Sequence, residues 1–206
     1  MKNLLIVFLL FFTLYYSVYA ASPIELILQV VEPPSSGKIP KAVKKGDIVN
    51  TVIEPEKGIY GLPWGSTIDE TYKYFGKPNA IIQLEESKLV LIYGRTHKLI
   101  FRDGKLFCVE IRDQILDYSL ADMLGEHPFF GDRWILSPGI MKDISKKEIV
   151  KKFDRENIEI HEEEDYRLFY DVGNVRVTIY FSSYSRVDEK GKIFKVHSIS
   201  LLYSEK

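Results

Sequence analysis

His161 heads the run His161-Glu-Glu-Glu-Asp165, the densest set of potential metal ligands in the chain. On a strand, where side chains alternate, His161, Glu163 and Asp165 share one face. Carboxylates suit hard cations and imidazole suits zinc. The run lacks the glycine of a calcium loop, however, and it is not the His-Glu-x-x-His of zinc proteases. It reads as the solvated end of a hairpin, and no metal is expected there. Cys108 and His97 form the other pair with chemical potential, because an imidazole beside a thiol makes a nucleophile. That chemistry needs surroundings that stabilise the thiolate. A lysine, Lys195, stands at the equivalent place in a repeat described below. The position is thus tolerant, and a packed or surface thiol is the expectation. The chain has no Ser nucleophile elbow, paired-Cys metal site or phosphate-cradling glycine loop. No catalytic residue and no cofactor are expected, and an enzyme is the least supported class.

Aromatics offer a different chemistry. Glu126-His-Pro-Phe-Phe-Gly-Asp-Arg-Trp134 is dense in rings for a connection. Phe129, Phe130, Arg133 and Trp134 make the mixture of aromatics and arginine that protein interfaces favour, and they are read as partner-binding residues. The alternative is that the rings plug the ends of sheets. For Trp64, which adjoins a helix start, that alternative is the better one.

The elements that must position these residues follow from local signals. Thr67-Ile-Asp-Glu70 is a capping box, in which hydroxyl and carboxylate satisfy the first amides of a helix. Ile68, Thr71, Tyr72 and Phe75 follow as one stripe, and Gly76 with Pro78 stops it. The expectation is a short helix over 67–75. Strand-like runs come next at 80–84, 88–93, 97–102 and 105–111, with Asp103-Gly104 a hairpin turn between the last two. Ser145-Lys-Lys-Glu148 is a second capping box, with Ile144 and Ile149 spaced as a hydrophobic staple. Strands are then expected near 158–162, 166–171, 175–182 and 192–203. A further helix is expected over 115–124.

Residues 61–79 and 139–157 are two copies of one pattern, offset by 78 positions without a gap. Gly61/Gly139, Glu70/Glu148, Lys73/Lys151, Phe75/Phe153 and Asn79/Asn157 coincide. Gly104-Lys-Leu-Phe-Cys-Val109 echoes Gly191-Lys-Ile-Phe-Lys-Val196. Such self-similarity decides the reading of a fold. The expected class is α+β: two tandem helix-plus-antiparallel-meander units, at 58–113 and 139–206, with helices packed on one face of the sheets. An extended lead-in at 21–57 and an aromatic connector at 114–138 complete the chain. The clearest departure between the copies is the longer last hairpin, 182–191, and loop insertions are where duplicated units acquire separate roles.

The segment from Gly65 through the helix to Gly76-Lys-Pro78 resembles the helix motif of the BamE/SmpA/OmlA family. Its tandem use resembles β-lactamase-inhibitory protein, where two such units join their sheets into a concave surface. The resemblance implies an extracytoplasmic protein that acts by binding other proteins. Two departures stand out: there is no lipoprotein cysteine, and Asp154 and Glu156 replace the Gly and Pro of the motif.

Composition narrows the classes. The chain has 206 residues, 46% hydrophobic and 28% charged, as a globular protein does. Its formal charge of −1 provides no basic field for nucleic acid. One cysteine cannot form an internal disulfide, so packing must supply stability. Lys2, the apolar run from Leu4 to Tyr16 and Val18-Tyr-Ala20 have the layout of a secretory signal peptide over residues 1–20. The expected location is extracytoplasmic: periplasm, cell envelope or secreted. The expected function is a non-catalytic protein-binding module whose partner is another envelope or extracellular protein. The alternative is a structural envelope protein held by an uncleaved N-terminal anchor, with membrane contact only if residues 1–20 are retained.

Overall fold

The computed structural model describes residues 27–30, 52–112, 124, 126–127, 130–131, 134–164, 166–188 and 191–205. The signal-peptide reading, most of the lead-in and the helix expected over 115–124 lie outside them, apart from Leu124. The described residues are mostly β, with twelve strands against two helices. The strands are β1 (Ile27–Val30), β2 (Val52–Ile53), β3 (Ala80–Glu85), β4 (Lys88–Tyr93), β5 (His97–Arg102), β6 (Lys105–Arg112), β7 (Ile135–Leu136), β8 (Ile140–Met141), β9 (Glu162–Glu164), β10 (Arg167–Val172), β11 (Val175–Asp188) and β12 (Gly191–Tyr203). The helices are α1 (Ile68–Phe75) and α2 (Lys146–Glu156).

This corrects the α+β expectation of two tandem helix-plus-meander units. Nine strands form one sheet in the order β1-β3-β4-β5-β6-β12-β11-β10-β9. The join is the antiparallel pairing of β6 with β12, from Ser198↔Arg112 to Leu202↔Cys108. An exposed row of main-chain donors and acceptors is a template for another strand. β6 and β12 satisfy each other's rows, so neither half keeps an inner edge. Two helices of 8 and 11 residues are minor elements beside that sheet. Two strands also move: β9 begins at Glu162, where a strand was expected from 158, and β11 runs on to Asp188, well past 182.

Local signals build the elements. Both capping boxes are formed, with Thr67 and Ser145 each accepting from the backbone three residues on while Glu70 and Glu148 reach back. Gly76 ends α1 at φ 82°, and Asn157 ends α2 in the left-handed region at φ 54°. Asp103 and Gly104 turn β5 into β6 with φ of 51° and 75°, as a type I′ turn requires. The edge strand β9 is three glutamates, a charged edge that discourages further pairing.

Strand alternation divides the sheet into two faces. Leu91, Leu99, Val109, Ile111, Ile199, Leu201, Val177, Ile179 and Leu168 point to the first face and are all buried. Phe75 of α1 and both Ile149 and Phe153 of α2 join them in one core. Burying each such side chain is worth about 1.5–3 kcal/mol. A second sheet, β2-β7-β8, adds Ile53, Leu136 and Ile140, each 0% exposed. On the second face, Ala80, Val90 and Ile92 form a smaller apolar cluster with Leu124. Asn79 anchors that cover, donating Nδ2 to the Leu124 carbonyl at 2.8 Å.

Candidate functional site

The connector rings fall on the inside. Phe130 is 3% exposed and Trp134 2%. Among the described residues Phe130 meets five rings: Tyr60, Phe75, Tyr93, His97 and His127, at centroid distances of 5.8, 4.9, 4.8, 4.9 and 5.0 Å. A partner cannot reach side chains so enclosed, and partner binding through Phe130 and Trp134 is corrected to core packing. The cause is the first face itself, whose end at β4 and β5 needs rings to cover it. Phe129 and Arg133 lie outside the described residues. Trp64 is the plug expected of it, stacked on Tyr203 at 5.7 Å with its Nε1 donating to the Pro55 carbonyl at 2.6 Å.

The sheet separates the Cys-His pair. His97 stands opposite Ile111 and Cys108 opposite Ile100, so the two side chains project from opposite faces. Cys108 is buried, and burial pushes its thiol up to about 12, far from a thiolate at neutral pH. Its Sγ lies 4.0 Å from the Ser200 hydroxyl. His97 is 0% exposed and bonded at both nitrogens, to Tyr60 Oη at 2.9 Å and Thr96 Oγ1 at 2.7 Å. Burial and nearby His127 pull its pKa down to about 3, so it stays neutral. His161 is partly exposed, 3.5 Å from an Asp171 carboxylate oxygen, with its ring 6.0 Å from that of Phe169. Among the described residues no group of three His, Cys, Asp or Glu side chains could hold a metal ion.

The second face carries chemistry that, Cys108 apart, sequence reasoning did not single out. Beyond the part covered by Leu124, strands β6, β12, β11 and β10 present Phe107, Cys108, Glu110, Arg112, Ser198, Ser200, Leu202, Arg176, Thr178, Tyr180, Arg167, Phe169 and Asp171. Leu202 is 43% exposed, Arg112, Asp171 and Arg176 are exposed, and Phe107, Phe169 and Tyr180 are half-buried. Two arginines lie over rings: Arg102 of β5 on Phe107 at 4.3 Å and Arg176 on Phe169 at 4.8 Å. Arg176 also grips Asp171 through two bonds of 3.0 and 3.1 Å, which holds that carboxyl below its usual range. Lys98 and Arg112 share one carboxylate, Glu110, at 3.3 and 3.6 Å. Period-two alternation of Phe169 with Asp171 and of Arg176, Thr178 and Tyr180 was the available signal. A shallow hollow of about 410 Å³ lies between the start of α1 and two hairpin turns, lined by Ile68, Gln83, Ser87, Leu89 and Asp103 among others.

Comparison with protein-family models, with curated proteins and with solved structures finds no match for this chain.

Proposed function

We propose that the chain is a non-catalytic protein-binding module of the cell envelope or extracellular space, and that the uncovered part of the sheet's second face is its contact surface. One observation carries the reading: rings, an exposed leucine and stacked arginines share adjoining strands of that face, at Phe169, Tyr180, Leu202 and Arg176. Aromatics and arginine are what interface centres enrich. A strongly paired sheet also holds them in place at little entropic cost on binding. The extracytoplasmic part of the reading rests on the layout of residues 1–20.

The test is capture from an envelope extract with the tagged chain, run beside a Tyr180→Ser, Leu202→Ser variant. A protein retained by the parent and lost by the variant, with an unchanged unfolding midpoint, supports the reading. Equal retention by both removes this face from the interaction.

A further inference from the structure

We draw no further inference here: the strongest candidate, the uncovered part of the sheet's second face around Arg102, Arg112 and Arg176, belongs to the surface already described, and with Glu162 and Glu164 of β9 standing opposite Phe169 and Arg167 its charge does not show what covers it.

Discussion

Tyr60 and His97 hydrogen-bond side chain to side chain at 2.9 Å inside the core, across 37 positions of sequence. Thr96 fixes the direction of that bond. Its hydroxyl lies 3.2 Å from the Gly131 carbonyl, which can only accept. The Thr96 proton goes there, so Thr96 Oγ1 accepts from His97 Nδ1 and leaves Nε2 to accept from Tyr60. Burial raises the Tyr60 phenol above its ordinary range and keeps it a donor. The chain Tyr60–His97–Thr96–Gly131 is fully satisfied only while the imidazole is neutral.

Acid should therefore loosen the fold from this point. His97 is held down to about 3 and His127 to about 4, chiefly by burial. With a folded pKa below the unfolded one, the unfolded chain takes the proton first. The stability at stake is complete above about pH 6.5 and drains as pH falls from there toward 3. For His97, fully buried, the loss is on the order of 5 kcal/mol across that window. Urea unfolding at pH 7, 5.5 and 4 should show a falling midpoint, and His97→Gln should be weaker at pH 7 with a shallower pH slope. A midpoint that holds constant down to pH 4 would show that the imidazole is not kept neutral.

The two helices each set a phenylalanine edge-on against a sheet tyrosine, Phe75 with Tyr93 and Phe153 with Tyr170. The hydroxyls differ. Tyr93 Oη donates to the Gly76 carbonyl at 2.8 Å, at the end of α1. Among the described residues, Tyr170 Oη is buried without a hydrogen-bond partner. Tyr93→Phe should cost about 1 kcal/mol, because it strands a helix-end carbonyl. Tyr170→Phe should be neutral or stabilising by up to about 1 kcal/mol, because it removes a desolvated group that bonds to nothing. Matched denaturant curves decide it; equal losses from both would mean that the Tyr170 hydroxyl has a partner.

Phe130 separates packing from binding. Truncation to alanine empties the meeting point of five rings and should cost about 3–5 kcal/mol. Leu202→Ser, on the exposed second face, should stay within about 0.5 kcal/mol of the parent. Thermal or urea unfolding of the two variants measures the contrast. A Phe130→Ala protein of unchanged stability would return that ring to the surface.

What was legible in the sequence was local. The capping residues Thr67 and Ser145, the stop at Gly76 and the turn at Asp103-Gly104 each act over four residues or fewer, and each stands where its chemistry puts it. Pairing of β6 with β12 joins Arg112 to Ser198, and nothing in either strand announces a partner so far along the chain. Internal similarity drew attention to two halves and away from the ladder that makes them one sheet. Phe130 and Trp134 misled for a related reason. A ring in a connection looks exposed until the face it must cover is known. For Tyr180 and Phe169 the obstacle is different, since alternation on a strand does not say which of two faces is left open.

Cys108 provides the last test, because its placement determines its reactivity. It sits on the second face between Ile100 of β5 and Leu202 of β12, and its relative exposure is 7%. Burial is the main force on the thiol, Glu110 nearby adds to it, and together they push it up to about 12. Reaction with a disulfide reagent proceeds through the thiolate. At pH 8 the folded chain should react at least about a hundredfold more slowly than a model thiol, and in urea at the ordinary rate. Labelling should follow the unfolding transition measured by circular dichroism. Rapid labelling under native conditions would mean that the second face opens at Cys108 without global unfolding, and the interface assigned to that face would then need to be mobile there.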